Sequence, residues 1–125
     1  MDLKDFKRLY KIYSKLPLAR EIWDTPEYEG YMHALHHDKI CKDWYLLQQI
    51  KEAGINAKKY CCTNMAYHMI EDKKEKQELK RDPEYINYDA IITYDKSHKS
   101  FGIPIHDGGS SYISIKFCPW CGKSL

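Results

Sequence analysis

The sequence lacks a long apolar run. No stretch has the roughly 20 apolar residues that a helix needs to cross a bilayer, and the segment starting at residue 1 has no apolar run of signal-peptide length. We therefore expect no membrane partner and a cytoplasmic protein, which stays where it is made unless a partner moves it.

The sequence also has little net charge. Its 20 Lys and Arg residues nearly balance 18 Asp and Glu residues, which leaves a formal net charge of +2. A dedicated nucleic-acid binder normally shows a basic stripe or patch. Nucleic acid is therefore a disfavoured partner, and a nucleic-acid-binding zinc ribbon is kept only as an alternative hypothesis.

Internal repeats and low-complexity tracts are absent as well. A chain of 125 residues has the usual length of one domain. The pattern changes character near residue 58, so we predict a single domain made of a helical part, residues 1–57, and a second part, residues 58–125.

The cysteines do not resemble a disulfide framework. There are five, an odd number, and two of them are adjacent in sequence. Secreted disulfide scaffolds usually carry an even set, whereas paired cysteines in a reducing compartment are typical of metal ligands.

The first half of the sequence has helical periodicity. Apolar residues recur at three- and four-residue spacing in residues 3–13. Thr25 and Pro26 suit the N-cap and the first helical position of a second helix. A third apolar stripe lies in residues 38–53, and Gly54 stops it. We predict about three amphipathic helices here.

The middle of the sequence predicts one more helical segment. Thr63 can cap a short helix, and the charged residues 71–81 follow it. Because their signs nearly cancel, we interpret them as a solvated helix extension or a flexible connector. Pro83 ends this segment.

The last third has the pattern of strands. Residues 89–94, 101–106 and 112–117 are rich in β-branched residues, and the last of them alternates apolar and polar positions. Residues 107–111 contain two glycines and predict a hairpin turn. The predicted fold class is α+β, with the N-terminal helices packed on a small antiparallel sheet that carries a zinc-ribbon-like knuckle.

The final strand leads into a Cys-x-x-Cys motif. Cys118 and Cys121, followed by Gly122, have the spacing that lets two thiolates face one zinc ion at about 2.3 Å. A redox-active dithiol would instead open a helix, and only four residues follow Cys121. We therefore predict a structural zinc knuckle.

Structural zinc requires four ligands, and the knuckle supplies two. Cys61 and Cys62, just before a predicted helix, are the expected completion. Because the side chains of adjacent residues tend to diverge, one of them could be a bystander, with His68 as the alternative fourth ligand. A chain without stable zinc is the third possibility.

Three segments together resemble a known family. They are the double cysteine at residues 61–62, HDGGSS at residues 106–111 and CPWCGK at residues 118–123. In combination they resemble an uncharacterised zinc-ribbon-like family of small bacterial and phage proteins. The resemblance covers about residues 58–125 and implies the zinc site, but it brings no activity with it.

A second metal site is a weaker hypothesis. His33, His37 and Cys41 are spaced to share one face of a continuous helix. However, Ala34 follows His33 where a zinc-protease helix needs a glutamate base, and Asp38 is expected to interrupt the helix. Solvent-facing histidines are the expected outcome.

The predicted hairpin turn contains hydrolase residue types. Together with the preceding residue it forms the loop His106, Asp107, Gly108, Gly109, Ser110 and Ser111. A catalytic triad must converge from a rigid scaffold, so residues of one tight turn are poor candidates. We expect Asp107 to cap the turn and treat the loop as a possible binding loop.

The favoured functional hypothesis is a non-enzymatic, zinc-stabilised protein-binding module, such as a phage-type or immunity-type inhibitor. Eleven tyrosines suit a contact surface, because tyrosine has a large apolar face and a polar tip. The second alternative, besides nucleic-acid binding, is an enzyme that uses His106 and Asp107.

Overall fold

A computed structural model describes residues 1–15, 17–81, 89–107, 109 and 111–125. The described elements are four α-helices, two short 3-10 turns and one three-stranded sheet. In chain order they are α1 (Leu3–Tyr13), a 3-10 turn (Arg20–Asp24), α2 (Pro26–His37), α3 (Lys39–Glu52), a 3-10 turn (Ala57–Lys59), α4 (Thr63–Arg81), β1 (Thr93–Asp95), β2 (Ser100–Pro104) and β3 (Tyr112–Ile115). The predicted α+β class is confirmed.

The chain divides into two compact units. The N-terminal unit is Met1–Gln48 and the C-terminal unit is Gln49–Leu125, so the boundary falls within α3. No helix in the described ranges is long and apolar enough to cross a membrane. The prediction of one single domain remains a prediction.

The N-terminal unit has an aromatic core. Phe6 is fully buried and stacks on Tyr31 with ring centroids 4.9 Å apart. The Trp44 ring is nearly perpendicular to the rings of Phe6 and Tyr10, with centroid distances of 6.0 and 5.1 Å. Offset and edge-on contacts of this kind stabilise beyond the area that they bury.

The predicted helix boundaries of this unit have identifiable causes. The Thr25 side chain accepts a hydrogen bond from the Tyr28 N–H at 3.3 Å, so Thr25 is the N-cap of α2 as predicted. Asp38 separates α2 from α3, and its carboxylate accepts from the Cys41 N–H at 3.1 Å. That bond is the main reason why the pKa of Asp38 lies below its ordinary value.

Gly54 ends α3 as predicted. It has a φ of 72°, which a glycine adopts without steric cost. The Ile55 N–H donates to the Ile50 carbonyl and the Gly54 N–H to the Lys51 carbonyl, both at 3.1 Å. These two bonds form a Schellman motif.

The charged residues extend the fourth helix to Arg81, which confirms the helix extension and excludes the flexible connector. The predicted end at Pro83 lies outside the described residues. The prediction that the extension is solvated is wrong at one position. Asp72 is not solvated but 3% exposed, and it accepts from Thr93 Oγ1 at 2.7 Å and from Lys76 Nζ at 2.7 Å. Lys76 also donates to the Tyr94 carbonyl. A buried carboxylate that is paired in this way fixes the start of β1 to α4.

The sheet is antiparallel, with strand order β1-β2-β3. The first strand is shorter than the predicted strand 89–94, because only residues 93–95 pair with β2. Ala90 lies in the missing part, and its N–H donates to the Glu75 carboxylate at 2.8 Å. The backbone before Thr93 therefore bonds to a helix side chain.

Two small apolar clusters lie inside the C-terminal unit. One contains Ile50, Ala66 and Ile70. The other contains Met65, Met69, Ile92 and Cys118, with Phe101 and Ile115 of the sheet packed against it. The second cluster places the end of the chain beside the N-terminus of α4.

Candidate metal centre

The C-terminal Cys-x-x-Cys motif forms a tight hairpin. The Cys118 N–H donates to the Lys123 carbonyl at 2.8 Å, and the Gly122 N–H donates to the Cys118 carbonyl at 2.9 Å. Gly122 has a φ of 74° and open space around its Cα, so the backbone conformation selects glycine here. The Cys121 N–H also donates to the Cys118 Sγ at 3.5 Å.

The double cysteine lies where α4 begins. The Cys62 carbonyl accepts from the Ala66 N–H at 3.2 Å, and the Cys62 Sγ accepts from the Met65 N–H at 3.4 Å. These bonds place Cys62 at the N-cap position, which the sequence analysis had assigned to Thr63. A thiolate at this position gains from the positive end of the helix dipole.

The four sulfur atoms of the knuckle and the double cysteine converge. All of them lie within 4.8 Å of one another. Cys62 Sγ lies 3.7 Å from Cys118 Sγ, and Cys61 Sγ lies 3.4 Å from Cys121 Sγ. The two adjacent cysteines do not diverge, because their own sulfurs also lie within 4.8 Å of each other. Both belong to the cluster of potential ligands.

These distances fit one tetrahedral ion. A zinc–sulfur bond of about 2.3 Å implies sulfur–sulfur edges of about 3.8 Å in a regular tetrahedron. The two sulfur–sulfur distances given above are 3.7 and 3.4 Å, close to that edge. No cysteine is in a disulfide, so all four sulfurs are available as ligands. The residues present therefore fit a metal ion.

The pKa values of Cys61 and Cys118 are shifted in opposite directions. Burial acts to raise the pKa of Cys118, but N–H groups of Cys121 and Trp120 and neighbouring thiols donate to its sulfur and lower the pKa to about 7. Burial and the sulfurs of Cys121 and Cys118 raise the pKa of Cys61 to about 12. Metal binding requires deprotonated cysteines, and of these two thiols Cys118 is the more readily deprotonated.

The cluster has a buried side and an open side. Cys118 is buried at 3% exposure, Cys61 and Cys62 are half-buried, and Cys121 is exposed. A ligand set of this kind excludes water from one side of an ion only.

His68 does not join the sulfurs. Its ring stacks on Trp120, with centroids 4.4 Å apart and planes 5° from parallel, and burial lowers its pKa. The group of potential ligands contains the four cysteines without it. Trp120 lies between the two knuckle cysteines, and sequence reasoning gave it no role. Its position inside the Cys-x-x-Cys motif was the signal that could have found it.

The other histidine and cysteine candidates do not form a second cluster. His33 and His37 are exposed with ring centroids 4.6 Å apart, whereas Cys41 is buried at 1% exposure. Within the described ranges of the chain, the four-cysteine cluster is the only group of three or more potential metal ligands. Asp38 interrupts the helix as predicted.

The described residues of the predicted binding loop are exposed. His106, Asp107, Gly109 and Ser111 lie on the surface, whereas Gly108 and Ser110 lie outside the described residues. The Asp107 carboxylate accepts from the Gly109 N–H at 3.1 Å, so Asp107 caps the turn as predicted.

Nothing in the sequence indicated a further carboxylate in the sheet that accepts several hydrogen bonds. Asp95, at the end of β1, accepts from Ser97 Oγ at 2.7 Å, from His98 Nδ1 at 2.7 Å and from Tyr112 Oη at 2.9 Å. Hydrogen bonds from Ser97, Tyr112 and His98 hold its pKa well below the usual range. It ties the β1–β2 turn to β3.

Comparisons with known proteins identify a family for the C-terminal part of the chain. Neither the curated proteins nor the solved structures contain a match. A family model described as "Domain of unknown function (DUF6980)" matches residues 59–125, which is more than half of the chain and includes all four clustered cysteines. This range agrees with the range, about residues 58–125, over which the sequence resembles an uncharacterised family. The chain therefore belongs to the DUF6980 family.

Proposed function

We propose that this protein is a non-enzymatic module, stabilised by one structural zinc ion, that binds another protein. The observation that supports the zinc is the convergence of four cysteine sulfurs within 4.8 Å of one another. Four thiolates in tetrahedral reach are typical of structural zinc sites.

The ligand types favour zinc among the common metals. Thiolates are soft ligands that select zinc, copper(I) and iron–sulfur clusters, whereas calcium and magnesium take oxygen ligands. Four protein ligands leave no open position for a substrate or a catalytic water, which a catalytic zinc site keeps. A structural role therefore fits this set.

The ion would join distant parts of the chain. Cys62 and Cys118 are separated by 56 residues, and the apolar cluster between them is small. Structural zinc contributes about 10–16 kcal/mol of apparent binding free energy in small zinc domains, whereas a whole domain is typically stable by about 5–15 kcal/mol. The fold of the C-terminal unit would then depend on the metal.

A native mass spectrum of the untagged protein, purified without chelator, tests this part of the proposal. We expect one zinc ion per chain and its loss in the variant Cys118→Ser. The matched control is Cys41→Ala, which removes a buried thiol of the N-terminal unit and should leave the zinc content unchanged. A folded protein without metal would contradict the proposal, and a bound iron–sulfur cluster would replace zinc by another cofactor.

An exposed apolar face supports the protein partner. Ile103 and Ile113 are directly opposite in the β2–β3 register, and Ile105 follows on the same face at the two-residue period. All three are exposed, and so is Phe117 at 62%. Phe101 and Ile115 are on the same face of the sheet but pack against the apolar cluster. The end of the face that carries Ile103 and Ile113 is therefore exposed.

The occupant that fits this face is the apolar surface of another protein. Exposed contiguous apolar side chains mark such sites more often than nucleic-acid sites, which are basic. The near-neutral net charge of +2 agrees with a protein partner. A phage-type or immunity-type inhibitor is the form of protein that combines these properties.

Parallel capture experiments test the partner. The wild-type chain, Ile113→Lys and the control Ile12→Lys would be used as baits in one lysate at matched zinc content. Ile12 is a similarly exposed isoleucine in the N-terminal unit. We expect one protein to be retained by the wild type and by Ile12→Lys, and to be lost from Ile113→Lys. Equal retention by all three baits, or retention abolished by nuclease, would reject the proposed face and partner.

A further inference from the structure

We propose that Cys61 and Cys121 form a peroxide-reactive dithiol, which closes to a disulfide and releases the metal. This inference rests on the proposed zinc site and adds a modification to it. The chemical class of the co-reactant is a hydroperoxide, with hydrogen peroxide as the simplest member.

The pairing of the sulfurs favours these two cysteines. Cys61 Sγ and Cys121 Sγ are 3.4 Å apart, whereas Cys62 Sγ and Cys118 Sγ are 3.7 Å apart. The Cα atoms of a disulfide lie within about 7 Å of each other, and its sulfurs join at about 2.05 Å. The Cys61–Cys121 pair therefore needs the smaller approach of its sulfurs.

Exposure separates the two pairs further. Cys121 is exposed and Cys61 half-buried, whereas Cys118 is buried. Cys62 is held by its role as the N-cap of α4, where its sulfur accepts the Met65 N–H at 3.4 Å. Oxidation of cysteine follows thiolate character and access. Because metal binding makes every ligand a thiolate, access decides, and a peroxide reaches the Cys121 sulfur first.

The reaction proceeds in two balanced steps. The Cys121 thiolate attacks one peroxide oxygen, the O–O bond breaks, and the products are a sulfenic acid on Cys121 and a hydroxide ion. The Cys61 thiolate then attacks the Cys121 sulfur, the S–S bond forms, and a second hydroxide leaves. Two thiolates have lost two electrons, and one hydrogen peroxide has been reduced to two hydroxide ions, which take up protons to become water.

The disulfide product would still link the knuckle to the residues that precede α4, as the metal ion had done. The disulfide links residue 61 to residue 121, while the ion loses two of its four ligands. Two cysteines hold zinc far more weakly than four, because a structural site needs a closed set. We therefore expect zinc release without separation of the knuckle from α4, and full reversal when a thiol reductant and zinc are added back.

The experiment uses the full chain as purified, after its zinc content has been measured by native mass spectrometry. Hydrogen peroxide is added in increasing amounts, released zinc is followed with a chromophoric chelator, free thiols are alkylated, and the peptides are mapped. We expect one zinc released per Cys61–Cys121 disulfide and a chain lighter by two hydrogen atoms. Cys41, which is buried at 1% exposure, is the internal control and stays reduced.

A second measurement avoids variants that could fail to fold. A limiting amount of iodoacetamide is added to the untreated protein, and we expect labelling of Cys121 before Cys118. The inference is overturned if peroxide forms a Cys61–Cys62 or Cys62–Cys118 disulfide first, or if zinc stays bound while the thiols remain reduced. A chain that is purified without zinc rejects the zinc proposal instead, and the peptide map still decides the pairing.

Discussion

The two units of this chain differ in what stabilises each of them internally. In the N-terminal unit, large side chains pack directly on one another, and Phe6, Tyr31 and Trp44 form one connected aromatic core. In the C-terminal unit the apolar side chains form two smaller clusters. Beside these clusters lie the buried carboxylate of Asp72 and the four-cysteine cluster, in which Cys118 is buried and Cys121 is exposed.

The difference shows how a short chain can stabilise two kinds of structure. A three-helix core buries aromatic area between elements that are close in sequence, which costs little loop-closure entropy. A small sheet with short strands buries less, and small scaffolds of this kind often add a metal or disulfides. With the proposed zinc ion bound, the four cysteines would supply that addition.

Of all the perturbations, removal of the metal is expected to change stability most. It should unfold one unit and leave the other folded. When a strong chelator takes the zinc, the C-terminal unit should unfold, because about 10 kcal/mol or more of binding free energy is lost. The core of the N-terminal unit contains none of the ligands and should persist. Amide and Trp44 indole signals in NMR spectra, recorded before and after chelation, measure both outcomes.

The reverse perturbation is the control for this prediction. Phe6 is 0% exposed, and its replacement by alanine should cost about 3–5 kcal/mol while the zinc content stays at one per chain. Ile12→Ala, at an exposed position of the same helix, should cost far less. Simultaneous loss of both units after chelation would show that the comparison is wrong.

The second prediction concerns the polar part of the C-terminal interior. Asp72→Ala removes the acceptor of Thr93 Oγ1 and Lys76 Nζ, and Lys76 keeps only its bond to the Tyr94 carbonyl. We expect a loss of about 2–4 kcal/mol, since breaking a buried charged network is costly. Urea unfolding of the zinc-loaded protein measures it.

Glu71→Ala is the matched control for Asp72. Glu71 is on the same helix, but its pair with Lys74 is largely exposed, and such pairs contribute about 0–1 kcal/mol. An equal effect of the two substitutions would mean that Asp72 behaves as an ordinary surface carboxylate.

The local features of this structure were predictable from the sequence. Thr25 and Gly54 mark helix ends through bonds with residues at most four positions away, so local residue preference is sufficient. The turn at the Cys-x-x-Cys motif was equally predictable, because the two-residue spacing and Gly122 determine its backbone conformation.

Long-range features were not predictable in the same way. Charged residues are exposed by default, so nothing in the sequence distinguished Asp72 from its neighbours until Thr93 was placed beside it. Cys62, and not Thr63, is the N-cap of α4. Its sulfur lies against the sulfur of Cys118, which is 56 residues away in the sequence. The first strand was shortened because Glu75 takes the Ala90 N–H, a contact that no local pattern encodes.

The smallest predicted effect is a difference in acid response between the units. Asp38 has a pKa below its ordinary value, mainly because the Cys41 N–H bonds to its carboxylate. A carboxyl group whose folded pKa is depressed stabilises the fold above its unfolded pKa of about 3.9, and this contribution is lost as pH falls through the folded pKa. Asp38→Asn should therefore weaken the N-terminal unit at neutral pH and converge with the wild type in acid.

Asp95 provides the contrast in the C-terminal unit. Its pKa is also lowered, by bonds from Ser97, Tyr112 and His98, so Asp95→Asn should weaken the unit at neutral pH. In acid, the effect of Asp95→Asn on stability should not be observable. The thiolates take up protons and release zinc at a higher pH than that at which the Asp95 carboxylate titrates, so the unit unfolds first. Thermal melts of both variants between neutral pH and about pH 2, followed by NMR, measure this. Acid convergence at Asp95 with zinc still bound would show that the metal does not control this unit.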